Sequence, residues 1–183
     1  MKRLVVLGAG ESGLGAALLA RREGYAVFVS DGGTIAPVRK AVLLAAAIEF
    51  EEGQHDEERI LAADLIIKSP GIPSTVAVVQ QALQQGISVV DELEFASRYS
   101  KGKVIAITGT NGKTTTTLLT YHLLKEAGWD VGLAGNVGKS WAGQLIAGDH
   151  AWWVIEISSF QIDGLVSMAP HIALLTNITP DHL

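Results

Sequence analysis

The stretch Val104-Ile105-Ala106-Ile107-Thr108-Gly109-Thr110-Asn111-Gly112-Lys113-Thr114-Thr115 decides how this chain reads. Val104 to Thr108 is a short, largely β-branched run expected to form a buried strand, and Thr114 to Ala127 is expected to form an amphipathic helix. A glycine-rich turn between two such elements points backbone N–H groups and the positive end of a helix at one place, which suits nucleotide phosphates. Gly109, Thr110, Asn111, Gly112, Lys113, Thr114 and Thr115 are therefore the candidate nucleotide-binding residues. Lys113 is placed to reach the β/γ oxygens, and Thr114 stands where a hydroxyl joins a magnesium shell. ATP with Mg2+ is the expected ligand. The full eight-residue phosphate-loop pattern asks for glycine where Ile107 stands, so only its Gly-Lys-Thr end is met. The competing reading is an ordinary strand-to-helix turn with a surface lysine.

Upstream, Gly8-Ala9-Gly10-Glu11-Ser12-Gly13 follows the first apolar run, Arg3 to Leu7, and opens a helix, while Asp31 ends the next run eighteen residues after Gly13. That spacing is a dinucleotide fingerprint, with Asp31 on the ribose. Its physics supplies a pyrophosphate cradle and leaves the nucleoside open, so an NAD-dependent dehydrogenase is a competing function. Glycines needed only for helix-to-strand packing are the plainer alternative. Ser69-Pro70-Gly71-Ile72-Pro73 follows the run ending at Lys68 and should lie at the same carboxyl edge, as a ligand contact or as a rigid turn.

Further apolar runs at Ala26 to Ser30, Leu65 to Lys68, Ser88 to Val90, Trp153 to Ile157 and Ile172 to Thr176 alternate with helical stretches at Gly13 to Glu23, Pro37 to Ala47, Val76 to Gln85 and Glu92 to Arg98. The alternation predicts an α/β protein with parallel sheets covered by helices. Ser100-Lys101-Gly102-Lys103 is a polar break between the two glycine-loop units. It divides the chain into a Rossmann-like domain at 1–99 and a phosphate-loop ATPase-type domain at 100–183.

With 48% hydrophobic and 18% charged residues, 183 residues suffice for one large or two small cores. The net charge of -5 argues against a nucleic-acid partner, which would ask for a basic face. The absence of cysteine excludes disulfides and thiolate metal sites and agrees with a reducing compartment. Gly8, Gly10 and Glu11 interrupt the first apolar run before it could serve as a signal peptide or membrane span, so a cytoplasmic protein is expected.

In the second half, Glu156 is the one acid in the apolar run Trp152-Trp153-Val154-Ile155-Glu156-Ile157. A buried carboxylate needs a partner. Magnesium held between Thr114 and Glu156 would supply one beside the ATP phosphates, and a lysine or helix terminus is the alternative. Trp152 and Trp153 read as core or cover. His182, beyond Pro180-Asp181, reads on spacing alone as a solvated histidine rather than a metal ligand.

Taken together, Gly109 to Thr115, Gly135-Asn136-Val137-Gly138, Glu156 to Gln161 and Thr176-Asn177-Ile178-Thr179-Pro180-Asp181-His182 resemble the Mur ligases of bacterial cell-wall synthesis. The Ser158-Ser159-Phe160-Gln161 run is most similar to the branch that adds D-glutamate. The first glycine loop, the Ser-Pro-Gly-Ile turn and Asp91-Glu92-Leu93-Glu94-Phe95 match as well, so the resemblance covers the whole chain. It implies an ATP-dependent ligase in peptidoglycan synthesis, a monomer, acting on UDP-N-acetylmuramoyl-L-alanine and D-glutamate through an acyl phosphate. It also implies a first domain that binds UDP in place of a nicotinamide.

By the same resemblance Lys113, Glu156 and His182 are catalytic, and Thr114, Glu156 and His182 serve the metals. Asn136, Ser158 and Gln161 position the muramoyl part, and Ser12, Gly13, Asp31 and Ser69 lie near the UDP. Gly32-Gly33 departs from the polar residues expected after Asp31. By the same resemblance Leu183 falls inside the family's central domain, and the family's C-terminal domain is expected to be absent from this stretch. On that basis this stretch by itself is expected to bind nucleotides without turning over, which also keeps a noncatalytic nucleotide-binding module in view.

Overall fold

The computed structural model describes residues 1–179. Its first half runs β1 (Arg3–Leu7), α1 (Glu11–Arg22), β2 (Ala26–Asp31), α2 (Pro37–Ala45), β3 (Glu49–Glu52), α3 (Glu57–Leu61), β4 (Leu65–Lys68), α4 (Ala77–Gln84), β5 (Ser88–Asp91) and α5 (Glu92–Ser97). The second half continues with β6 (Lys103–Thr108), α6 (Lys113–Glu126), β7 (Val131–Gly135), α7 (Trp141–Ala147), β8 (Trp152–Glu156), α8 (Ser159–Ile162) and β9 (Ile172–Leu175).

Two parallel sheets result, ordered β3-β2-β1-β4-β5 and β7-β8-β6-β9. In each, the first strand of the unit sits inside the sheet, with later strands added on both sides. The strand order therefore reverses beside β1 and beside β6, and a crevice opens there at the carboxyl ends of the strands. Both glycine loops leave their strands at those two points.

Local chemistry explains most of the elements. β1 is buried at four of its five positions, the near-continuous apolar pattern of a strand covered on both faces. α1 carries Glu11 in its first turn and Arg21 and Arg22 in its last, complementing the helix dipole. Pro37 opens α2, where its missing N–H costs nothing. β3 and β7, by contrast, carry a weak sequence signal. β3 is Glu-Phe-Glu-Glu, held at the sheet edge by pairing with β2 alone, and β7 is an edge strand containing Gly132 and paired with β8.

The helix after the phosphate loop departs from its expected amphipathic form. Thr117 is its one buried residue. Tyr121 and Leu124 lean on Ile105, Ile107, Val131 and Val154, while Leu118, Leu119 and Leu123 are exposed. The helix is apolar on two sides, and only the side over β6, β7 and β8 meets a sheet among the described residues.

The core crosses the polar break. One continuous cluster joins Leu4, Ala16, Leu19 and Phe95 of the first half to Trp141, Leu145, Trp153 and Ile155 of the second. α1 lies against α7, and Gly15 makes this possible, since a Cβ there would collide with the Ser140 hydroxyl. Trp141 and Trp153 are fully buried with ring centroids 5.9 Å apart. Each contributes on the order of 2–3 kcal/mol by leaving water.

Candidate nucleotide-binding site

β6 ends at Thr108 and the chain turns through Gly109 at φ +136° and Gly112 at φ +83° into α6. Gly109 must be glycine, because a Cβ would run into the Thr176 hydroxyl. No side chain caps α6, so the first-turn N–H groups are left to an incoming anion. Lys113 Nζ folds back to donate to the carbonyls of Gly109 at 2.8 Å and Thr110 at 2.9 Å. Thr114 and Thr115 are exposed beside it.

The segment after β9 braces the loop, a role the sequence did not suggest. Asn177 Oδ1 accepts from the Asn111 amide at 3.0 Å, and its Nδ2 donates to the Asn111 carbonyl at 2.9 Å. The Thr176 hydroxyl donates to that carbonyl as well, at 2.6 Å. Thr110 and Thr179 exchange hydrogen bonds at 3.1 and 3.0 Å. The spacing of these polar residues after an apolar run was the available signal.

Glu156 sits at the end of β8, in register with Ile107 of β6 and Gly135 of β7, and is 1% exposed. Asn136 Nδ2 donates to its Oε1 at 2.9 Å. Its Oε2 is buried with no partner among the described residues. Leaving such an oxygen unpaired costs on the order of 1–3 kcal/mol, and a cation beside the phosphate loop would remove that cost. The donor chemistry fits magnesium, a hard ion that takes one or two protein oxygens and completes its shell with water and phosphate. Among the described residues no three His, Asp or Glu side chains converge.

Asn136, Ser158, Lys113 and Thr110 line one cleft of about 630 Å³. Pro70 and Gly71 of the first half line it too, so the turn after β4 reaches the phosphate loop of the second sheet. Phe160 and Ile162 supply an apolar wall that sequence reading did not single out. Ser158 and Gln161 form a reciprocal capping box at the start of α8: Ser158 Oγ accepts from the Gln161 amide, and Gln161 Oε1 accepts from the Ser158 amide at 2.9 Å. Gln161 is buried by this role. His182 lies outside the described residues.

In the first half the glycine loop closes on itself. A Cβ on Gly13 would collide with the Gly8 carbonyl oxygen, whereas one on Gly10 would meet nothing within 4 Å. Gly13 thus serves packing, and the space at Gly10 is open to a ligand. Ser12 is half-buried in the first turn of α1. Ser69 Oγ points to the Gly8 carbonyl at 3.4 Å. Asp31 accepts from the Ala9 amide at 2.7 Å and the Gly33 amide at 2.8 Å, tying the loop to the end of β2.

Three carboxylates lie where β5 passes into α5. Burial pushes Asp91 up to about 6, against a hydrogen bond from the Leu93 amide and the nearby Lys68 ammonium. Burial likewise pushes Glu92 up to about 7, only partly offset by the Ala142 amide and the Ser140 hydroxyl. For Glu94 burial is outweighed by the Ser167 hydroxyl and the amides of Ser167, Val166 and Met168, which together hold it at about 2.

Two parallel sheets, each with a glycine loop at the carboxyl edge, and a cleft lined from both halves define an α/β protein with two candidate phosphate-binding loops. The chain belongs to the Mur ligase family: residues 107–183 match the Mur ligase middle domain, and residues 2–91 match the MurD-like N-terminal domain of Mur ligases. It is 54% identical over 183 residues to the UDP-N-acetylmuramoylalanine--D-glutamate ligase of Bacteroides fragilis, and 57% identical over 180 residues to that of Porphyromonas gingivalis. These alignments take in 100% and 98% of this chain but 41% and 40% of the relatives, so the chain spans about two-fifths of their length.

Among solved structures, a murein peptide ligase from Psychrobacter arcticus superposes with TM-score 0.61 at 26% identity, covering 99% of this chain and 44% of that one. A UDP-N-acetylmuramate:L-alanyl-gamma-D-glutamyl-meso-diaminopimelate ligase from Neisseria meningitides shares the fold with TM-score 0.64 at 23% identity, covering 100% and 62%. No helix of the described residues is long and apolar enough to cross a membrane.

Proposed function

We propose that this chain is the UDP-sugar- and ATP-binding part of a ligase that joins D-glutamate to UDP-N-acetylmuramoyl-L-alanine in peptidoglycan synthesis. The observation that carries the reading is the single cleft containing Lys113, Asn136 and Ser158 together with Pro70 and Gly71, with the unpartnered oxygen of Glu156 beside Asn136. Relatives that bear this activity by name are 54% and 57% identical to the chain. We keep the division into a UDP-substrate domain at 1–99 and an ATP-binding domain at 100–183, working as a monomer in the cytoplasm, where ATP is available.

The chemical difficulty is bringing a substrate carboxylate to a triphosphate. The α6 N-terminus and the loop amides hold the phosphates, and Lys113, released from its loop carbonyls, meets the β/γ oxygens. Mg2+ held by Thr114 and Glu156 would neutralise charge on the transferred phosphoryl group. Asn136 orients Glu156 and faces the cleft, where the muramoyl part would lie alongside Ser158. Gln161 acts through its capping of α8, setting the position of Ser158. The first glycine loop takes the UDP pyrophosphate, with Ser12, Gly13 and Ser69 near the UDP and Asp31 on its nucleoside side. His182 is proposed to serve a second metal.

Calorimetric titration with UDP-N-acetylmuramoyl-L-alanine, and with NADH in parallel, tests the reading. Saturable binding of the UDP-sugar and none of NADH is expected. Binding of NADH alone would return the first glycine loop to a dehydrogenase.

A further inference from the structure

Beyond Asp31, the end of β2 carries a hydrogen-bond relay that no step above uses. Ser30 is fully buried, and its Oγ lies 2.7 Å from Glu51 Oε1 on β3 and 2.6 Å from His55 Nδ1. An ionised carboxylate only accepts, so the single Ser30 proton goes to Glu51. Towards His55 the Ser30 oxygen can then only accept, which puts the imidazole proton on Nδ1. In the neutral ring Nε2 is left as a bare acceptor. It has no partner among the described residues, and the ring is exposed.

The position of that nitrogen gives it a use. Nε2 stands 3.0 Å from where a Gly32 Cβ would be, so the ring occupies the space that the missing side chain leaves. Gly32 follows Asp31, which grips the Ala9 amide of the glycine loop. In a sheet of this topology a pyrophosphate on the glycine loop sends its nucleoside across the end of β2. The carboxylates at this edge already hold protein donors, whereas His55 Nε2 holds none among the described residues. Asp31 takes the Ala9 and Gly33 amides, Glu51 takes Ser30 and the Asp56 amide, and Glu52 takes the Ile35 amide and Lys40. Three carboxylates also make this edge hostile to phosphate and receptive to a neutral donor.

We propose that His55 is a specificity-determining residue of the first nucleotide site, its Nε2 accepting a hydrogen bond from the uridine, either the imide N–H or a ribose hydroxyl. The inference rests on the reading of the first half as a UDP site.

The test uses UDP as probe, with N3-methyl-UDP and the 2′-deoxy and 3′-deoxy analogues as arms. Wild type should bind UDP, and His55→Ala should weaken it about tenfold, as expected for one lost hydrogen bond in a partly dry site, with His55→Gln recovering part of the loss. One analogue should lose a similar factor against wild type and nothing further against His55→Ala, which names the donor. Nitrogen-15 NMR of the free chain should show the Nδ1–H tautomer, with the Nε2 resonance moving on addition of UDP. Equal UDP affinity in wild type and both variants, or an Nε2–H tautomer, would overturn the role of His55 while leaving the UDP site standing. Failure of wild type to bind UDP at all would overturn both.

Discussion

Glu92 Oε1 accepts a hydrogen bond from the Ser140 hydroxyl at 2.8 Å, and a second from the Ala142 amide at 2.6 Å. The pair fastens the helix that follows the first sheet to the N-terminus of α7, where Ser140 also caps the Gly143 amide. Two residues on, Glu94 gathers the amides of Val166, Ser167 and Met168 at 2.9 Å each. Two acids of α5 thus hold two separate backbone runs of the second half.

The Glu92 contact has a pH signature. Its pKa is about 7 when folded, against an ordinary 4.5, so the folded chain binds more protons than the unfolded one between those values. Stability therefore falls as pH rises from about 4.5 to 7, by on the order of 3 kcal/mol once the group is fully ionised. Asp91, raised to about 6, acts in the same direction over a lower window. Chemical denaturation of Glu92→Gln between pH 5 and 8 should show a flatter profile than wild type, and an unchanged slope would remove Glu92 from the account.

Glu94 has the opposite sign. Held at about 2, it stabilises the fold above pH 4.5, and that stability drains away as pH falls towards 2. Glu94→Ala leaves three amides and Arg98 without their acceptor and should cost roughly 3–5 kcal/mol. A thermal melt should fall by about 10 °C, and a drop below 2 °C would mean that water replaces the carboxylate.

The first glycine loop separates packing from binding. Gly13→Ala forces a collision with the Gly8 carbonyl and should destabilise the fold by a few kcal/mol. Gly10→Ala meets open space and should melt within a degree or two of wild type while weakening UDP binding. Normal UDP affinity in Gly10→Ala would show that no ligand approaches that position.

At the phosphate loop, Glu156→Gln keeps the acceptor for Asn136 and replaces the buried unpartnered oxygen with an uncharged amide NH2, and should leave stability equal or slightly raised. The same change should abolish the gain in ATP affinity that Mg2+ gives, as measured by titration with and without the ion. Asn136→Ala, which frees Oε1 as well, should lose part of that gain. Full Mg2+ dependence in Glu156→Gln would take the carboxylate out of the metal shell.

Much of this protein was legible in the chain itself. Periodicity and glycine placement located both loops, seven strands and five helices, because a buried parallel strand and a phosphate turn each demand particular residues at adjacent positions. The acid in the apolar run pointed to Glu156 for the same reason: a lone carboxylate there has few explanations. What the sequence could not carry were the parts whose partners lie far along the chain. β3 and β7 are strands only because β2 and β8 offer them an edge, and α6 turned out to be less one-sided than its pattern suggested. Ser158 and Gln161, expected from the resemblance to touch the substrate, also form a capping box, a local pairing that their three-residue spacing could have shown.

The chain alone determined two glycine loops, their strands and the family to which they belong, since those depend on neighbouring residues. Only the tertiary structure decided that Pro70 joins Lys113 in one cleft, that Asn177 braces Asn111, that Glu92 reaches Ser140 and that His55 stands over Gly32. Pro70 with Lys113 and Glu92 with Ser140 depend on the core shared between the halves, and the other two on the packing of loops within one sheet; in all four the partners are set by the three-dimensional arrangement, which no local spacing records.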